Sequence, residues 1–290
     1  MLQEVHQEMI RRAKELLHAG NVARMLGWRR GDFDTLTEPA VFTTCDEVDN
    51  LVYDKFCVAN LSKYLIELSK QDGVTLAFLR PCDTFSFNQL VKERQVTRDK
   101  VHVIGVPCEG CVAVDELEEG DMFEKCLVCD KTEHAVYDET INGETTREDK
   151  DRFSGVIEVE ALTADEKFDF WQKELGRCIR CNACRNVCSV CHCKNCVFDN
   201  DKYDTKQRAN ADSFEEQMFH IIRAYHVAGR CTDCGQCSRV CPQKIQLQLL
   251  NRKFIKDINE FYGEYQAGAD AESVGPLTSF DISGDREVRE

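Results

Sequence analysis

Two stretches of this chain repeat one cysteine spacing: Cys178-x2-Cys181-x2-Cys184-x3-Cys188 and Cys231-x2-Cys234-x2-Cys237-x3-Cys241, the second followed by Pro242. That spacing constrains the fold more than any other feature. Three thiolates on one tight loop reach three irons of a single 4Fe–4S cubane, while the fourth points away and serves a neighbouring cluster. The reading is therefore crossed. Cluster I takes Cys178, Cys181, Cys184 and Cys241, and cluster II takes Cys231, Cys234, Cys237 and Cys188. Pro242 ends its loop and turns the chain outward, whereas Ser189 occupies the matching place after Cys188. Zinc sites use two CxxC pairs more often than paired runs of this kind.

The remaining cysteines form looser sets. The chain has 290 residues and 18 cysteines, too many for an ordinary cytosolic enzyme. No apolar run approaches the length of a transmembrane helix, and Met1-Leu2-Gln3-Glu4-Val5-His6 lacks a basic then apolar leader. A cytoplasmic setting is expected, where thiols stay reduced and bind metal rather than pair as disulfides. The formal charge of −15 argues against nucleic acid as the main partner. Cys108-x2-Cys111 and Cys126-x2-Cys129 make two knuckles that suit zinc, a single iron or a third 4Fe–4S cluster. Cys191-x-Cys193-x2-Cys196 supplies three thiolates and needs a fourth ligand, for which Cys82, Cys57, a knuckle cysteine and His192 are candidates.

The chain divides in two by pattern. Val5, Met9, Ala13 and Leu16 make one apolar stripe on a helix over residues 3–19, closed by Gly20. Short strands are expected at 40–44 and 51–53, and a helix at 60–71. An apolar strand at 74–79, a helix at 85–95 and an apolar strand at 101–106 make a βαβ unit with parallel strands. Cys82 and Cys108 then lie just past the carboxyl ends of two parallel strands, where ligands sit in open α/β sheets. Asn142-Gly143 suggests a hairpin between strands at 135–138 and 144–147, and 155–161 reads as one more strand. Helices are expected at 164–175, 213–228 and 247–262. Ser213 is the candidate N-cap of the second, Gly229 its C-cap, and Phe214, Met218, Ile221, Ile222 and Tyr225 its apolar face. The fold class is thus an α/β N-terminal domain with parallel strands, residues 1–165. An α-helical ferredoxin-like two-cluster domain follows, residues 166–262. A tail, residues 263–290, is either disordered or orders on a partner.

Several segments together resemble a known family. They are Glu15-Leu16-Leu17, Phe56-Cys57-Val58-Ala59-Asn60-Leu61, Pro81-Cys82-Asp83, Ile104-Gly105-Val106-Pro107-Cys108 and Lys125-Cys126-Leu127-Val128-Cys129. To these add Cys178-Ile179-Arg180-Cys181-Asn182-Ala183-Cys184-Arg185 and His220-Ile221-Ile222-Arg223-Ala224-Tyr225-His226-Val227-Ala228-Gly229-Arg230-Cys231. Over roughly residues 1–262 the chain resembles the iron–sulfur β-subunits of formate dehydrogenases and deazaflavin-reducing hydrogenases. It is nearest to members that accompany heterodisulfide-reductase-like, electron-bifurcating complexes. The resemblance implies an electron-transfer subunit with a flavin- or metal-containing catalytic partner, and in some members a flavin in the N-terminal domain. No GxGxxG or P-loop marks a flavin site here, and no HExxH or GxSxG suggests catalysis. Two competing readings are a flavin-binding subunit that itself reduces a deazaflavin or nicotinamide, and a zinc-stabilised docking scaffold. The seven histidines read as surface or packing residues.

Overall fold

The computed structural model describes residues 2–115, 118–143, 145, 150–199 and 214–277. Two compact units emerge: Met1–Arg152 with Gly268–Ala271, and Phe153–Ala267 with Glu272–Glu290. The division falls at Arg152/Phe153, ahead of the place expected near residue 165.

The first unit is built on a six-stranded sheet. Helix α1, Leu2–His18, buries Val5, Met9, Ala13 and Leu16, the stripe anticipated from its spacing. Strands β1 (Arg24–Arg30), β2 (Thr37–Phe42) and β3 (Leu51–Val52) follow, then the single-turn helix α2 (Leu65–Leu68) and strand β4 (Thr75–Leu79). Helix α3 (Pro81–Lys92), strand β5 (Val101–Gly105), the hairpin of β6 (Val112–Asp115) and β7 (Glu118–Met122), helix α4 (Glu124–Leu127) and β8 (Glu139–Thr140) complete it. The order is β2-β1-β4-β5-β8, with β3 also on β1. Neighbours β1–β4, β4–β5 and β5–β8 are parallel, but β2 and β3 run antiparallel to β1. The sheet is therefore mixed, where parallel strands were expected. Every residue of β4 is buried, as its unbroken apolar run requires when both faces are covered.

Two local expectations fail in this unit, and one strand was not foreseen. Strand β1 carries arginines at both ends and hides its apolar centre, Met25, Leu26 and Trp28, inside the sheet. The expected helix over 60–71 is broken into a 3-10 turn, Ser62–Tyr64, and α2. Residues 135–138 form no strand of a hairpin. Instead the Asp138 N–H donates to the Val103 carbonyl (2.8 Å), and its carboxylate accepts from the Val103 N–H (2.7 Å). Of the second arm, 144, 146 and 147 lie outside the described residues.

The second unit is helical. Helix α5 (Ser154–Glu160) replaces the strand expected at 155–161. Its β-branched residues suit a strand, but among the described residues of this unit there is no strand for it to pair with. Glu160 instead bridges Lys253 (2.8 Å) and Lys256 (3.0 Å) of a later helix, so tertiary contacts override propensity. Helix α6 (Ala164–Gly176) starts at a capping box: the Glu166 N–H donates to Thr163 Oγ1 (3.3 Å), and the Thr163 N–H donates to Glu166 (2.8 Å). Helices α7 (Ala183–Val187), α8 (Phe214–Val227), α9 (Gln236–Arg239) and α10 (Leu247–Tyr262) follow. Ser213, the expected cap of α8, lies outside the described residues.

The expected face of α8 is also displaced. Phe219, His220, Arg223, Ala224 and Val227 are buried, while Tyr225 is 63% exposed and Met218, Ile221 and Ile222 are half-buried. The described part of the segment after residue 262 packs on the chain. Tyr265 donates to the Gly229 carbonyl (3.0 Å) and Ala267 is buried. Gly268, at φ +76°, lies so close to the first unit's Phe85 carbonyl that a Cβ would sit 2.0 Å from its oxygen. Residues 278–290 lie outside the described residues.

Candidate metal centres

None of the 18 cysteines is paired in a disulfide. In the first unit the parallel strands β4 and β5 deliver the chain to one end of the sheet. Cys82 sits in the first turn of α3, and Cys108 follows β5. The β6–β7 hairpin then folds the knuckles together: Val112 faces Met122, and the Phe123 N–H donates to the Cys111 carbonyl (3.0 Å). Helix α4 opens there and carries Cys126. Cys82, Cys108, Cys111, Cys126 and Cys129 thereby form one electrostatically connected group.

Two buried cations face that group. Arg80, only 1% exposed, pairs with the buried Asp83 (Nε to Oδ2, 2.9 Å). It donates through Nη2 to the Ala59 carbonyl (2.7 Å) and through Nη1 to the Cys57 carbonyl and Cys111 Sγ (3.0 Å). Its guanidinium also lies over the Trp28 ring at 5.2 Å. Lys125 is the second cation, beside Cys126, Cys111 and Cys82. A hydrogen bond from Cys111, with Lys125 and Arg80 nearby, draws the Cys126 thiol down. Hydrogen bonding to Cys108 and Cys126, together with burial, drives Cys111 up. The pair thus shares one proton more readily than it holds two negative charges. Cys57 turns aside: its thiol donates to the Val52 carbonyl (3.5 Å) and Asp54 (3.6 Å), and burial pushes it up to about 12. Cys45 donates to the Lys14 carbonyl (3.7 Å).

In the second unit both cysteine runs adopt the same backbone. Arg180 and Asn182 flank Cys181 at φ +53° and +61°; Asp233 and Gly235 flank Cys234 at +59° and +64°. Three of these four are not glycine, a conformation that costs each about 1–2 kcal/mol. The doubled inversion curls the loop inward, so that the Arg180 N–H donates to Cys178 Sγ (3.3 Å). Helices α7 and α9 begin directly afterwards and bury Cys184 and Cys237 in one apolar core with Leu175, Phe219, Ile245 and Leu247.

Cysteines of the two runs meet in this unit. Cys178, Cys181, Cys184 and the distant Cys241 line one pocket enclosing about 330 Å³, its open mouth included. Around Cys231, burial and the Asp233 carboxylate raise the thiol first, and Cys234, Cys188 and Cys237 act on it next. The four sulfurs assigned to cluster II are therefore neighbours as well.

The buried polar groups beside these thiols fit a large anionic acceptor. His220, 1% exposed, lines the Cys178 pocket with neither ring nitrogen hydrogen-bonded. Burial, then Arg223 and Arg180, push its pKa down to about 3, so the ring is neutral. Arg223, 2% exposed, lies among Cys237, Cys184, Cys188 and Cys191, with the Cys237 sulfur as hydrogen-bond acceptor. Such groups are costly to bury alone. The thiolates and bridging sulfides of a cubane accept from donors placed this way. Among the described residues no three His, Cys, Asp or Glu side chains converge on one point as a single ion requires. Zinc draws four donors to about 2.3 Å of one centre, whereas a cubane spreads its thiolates over four irons.

Cys191, Cys193 and Cys196 line a separate pocket of the same unit. Cys82 and the knuckle cysteines belong to the first unit's group, and His192 accepts from Arg230 (3.1 Å). Sequence reasoning missed Arg80, Lys125, His220 and Arg223 as site residues. The one available signal was Arg80, a cation closing a wholly apolar strand.

Comparison with known proteins agrees with this geometry. Residues 174–245 match the 4Fe-4S dicluster domain family. The F420-dependent formate dehydrogenase subunit beta of Methanocaldococcus jannaschii is 33% identical over 107 residues, 37% of this chain and 27% of that protein. The F420-dependent formate dehydrogenase 1 subunit beta of Methanococcus maripaludis is 34% identical over 107 residues, 37% of this chain and 26% of its own length. This chain thus spans about a quarter of those two relatives. Putative ferredoxin-3 of Sinorhizobium fredii is 34% identical over 71 residues, 24% of this chain and 67% of that protein. The F420-reducing [NiFe] hydrogenase complex from Methanosarcina barkeri shows a TM-score of 0.29 at 15% identity, over 37% of this chain and 42% of that one, too slight to bear on the fold. Among the described residues no helix is long and apolar enough to cross a membrane. Through the segment that holds both cysteine runs, the chain belongs to the ferredoxin-type iron–sulfur proteins with a 4Fe–4S dicluster domain.

Proposed function

We propose that this chain is an electron-transfer subunit of a multi-subunit anaerobic oxidoreductase. It relays single electrons between a catalytic subunit and a heterodisulfide-reductase-like partner. The catalytic subunit is a formate dehydrogenase, a hydrogenase or an NADH-oxidising flavoprotein. One observation carries the reading: Cys241 of the second run shares a pocket with Cys178, Cys181 and Cys184 of the first. Crossed ligation places two cubanes side by side, which suits a relay. The formate dehydrogenase subunits that resemble this chain support the type of complex.

Cluster I is assigned to Cys178, Cys181, Cys184 and Cys241, and cluster II to Cys188, Cys231, Cys234 and Cys237. A third is assigned to Cys108, Cys111, Cys126 and Cys129, with Cys82 beside it. When bound, each cubane supplies a one-electron couple whose potential follows charge, hydrogen bonding and exposure. The chain's residues set those terms. Arg223 and Arg180 bring positive charge to the dicluster loops, and Arg80 with Lys125 bring it to the knuckles. Phe219, Leu175 and Ile245 exclude water from Cys184 and Cys237. With a net charge of −15, the surface suits partners with basic docking patches, attracted at low salt.

The test is iron, sulfide and zinc analysis of the full chain purified without oxygen, followed by a reductive titration read by electron paramagnetic resonance. At least about eight irons per chain, reduced in one-electron steps, are expected. Fewer than that, or zinc in their place, defeats the relay.

A further inference from the structure

The second unit contains one more set of metal-ligating side chains, apart from the eight cysteines of the crossed runs. Cys191, Cys193 and Cys196 line a pocket of about 640 Å³, its mouth included, against the side of α8. Three residues of α8 reach its wall, Arg223, His226 and Val227, and the first two, three apart, hold neighbouring positions of one helical face. His226 is the one imidazole on that wall, and Asp199 the one carboxylate, among the described residues. Asp199 is engaged by Arg185 at 2.8 Å.

We propose that Cys191, Cys193 and Cys196, with His226 as fourth donor, hold an additional 4Fe–4S cluster in this pocket, beyond the pair on the crossed runs. Three observations carry it. Three thiols and an imidazole on one cavity wall make a complete donor set for a cubane, which accepts histidine in place of a thiolate. The pocket is roomy, about 640 Å³ with its mouth, which suits a wide inorganic core spread over four donors. Finally, the wall is cationic. Arg185, Arg223 and Arg230 all line it, and Arg223 is buried with the Cys237 and Cys191 sulfurs near it. A buried guanidinium facing an apolar cavity is costly. Facing an anionic cluster, it is neutralised. Cys191 also lies three residues after Cys188, its N–H donating to the Cys188 carbonyl (3.3 Å). The new site therefore adjoins cluster II and extends the relay by one station, with Arg223 beside both.

The inference is tested on the full chain purified without oxygen. In the variant Cys191→Ser/Cys193→Ser/Cys196→Ser, the expected result is loss of about four irons and four sulfides per chain, with about eight irons kept on the crossed runs. The retained iron separates failure of this site from failure of the dicluster reading. An unchanged iron content, or loss of one zinc and no iron, overturns the proposal. Should the triple variant fail to accumulate, two single changes decide. Cys193 is exposed, and Cys193→Ser is expected to alter one paramagnetic signal of the reduced protein and leave the others in place. His226→Ala is expected to abolish a nitrogen coupling seen by pulsed resonance on that same signal. A spectrum indifferent to both changes overturns the site.

Discussion

Replacing Arg80 by methionine removes the most heavily bonded buried cation of the sheet unit. The guanidinium is 2% exposed at the side chain and its partner Asp83 is 0% exposed. The change leaves a buried carboxylate with only the Arg80 backbone N–H, at 3.4 Å, from that partnership. It also takes one donor each from the Cys57 and Ala59 carbonyls, which keep Cys111 Sγ (3.7 Å) and Trp28 Nε1 (3.3 Å), and strips the cation from over Trp28. Breaking a buried pair by removing one partner costs about 3–5 kcal/mol, and the two weakened carbonyl contacts add little to it. The sum, roughly 5 kcal/mol, is a large share of a domain's stability. For a unit of this size the melting temperature should fall by about 10–20 °C. The double variant Arg80→Met/Asp83→Leu, which removes both charges, should recover more than half of that loss. Thermal unfolding of the parent, both single variants and the double variant forms the cycle. A melting temperature for Arg80→Met within about 2 °C of the parent refutes the reasoning. So does a double variant no better than Arg80→Met.

Other outcomes follow from the same geometry. Arg223→Met should lower the midpoint potentials of both dicluster centres by tens of millivolts, and Arg223→Lys by less, as read by potentiometric titration. Asn182→Gly should be neutral or stabilising, whereas Asn182→Val should cost about 1–2 kcal/mol and lower the iron content, because φ there is +61°. Thr163→Ala should cost about 1 kcal/mol through loss of the α6 capping box while the iron count stays unchanged. His134 is held below the usual histidine range by burial, its ring against the Val106 carbonyl at 3.1 Å. The unfolded chain therefore binds more protons as pH drops below about 6.5, and stability falls with it. His134→Gln should flatten the melting-temperature profile between about pH 7 and 5, and an unchanged slope would rule out that histidine as its source.

Much of this architecture was legible because local pattern and tertiary role agree. Helix α10 matches its apolar periodicity to the residue, α1 buries the four residues its spacing selects, and β4 is buried throughout, with β5 buried except at His102. Cys82 and Cys108 were placed by a topological rule, and the structure brings both to one end of the sheet.

The misses share a physical cause, which is that polar groups occupy buried faces. The inner face of α8 holds His220 and Arg223, so hydropathy pointed to Met218, Ile221, Ile222 and Tyr225 instead. Strand β1 hides behind terminal arginines, and the acidic β6–β7 hairpin has little of a strand's composition. Nothing local marks Lys125 as buried; its role exists only once the hairpin folds Cys126 onto Cys111. Cations gathered around thiols are a tertiary property, visible when the thiols are already assembled.

Diffraction from the intact, anaerobically grown protein, with anomalous differences recorded at the iron edge, bears most directly on the crossed ligation. At the two cysteine runs the account predicts two compact iron peaks, one bounded by Cys178, Cys181, Cys184 and Cys241 and the other by Cys188, Cys231, Cys234 and Cys237. Iron enclosed by Cys178, Cys181, Cys184 and Cys188 of a single run, or no iron at either loop, would contradict it.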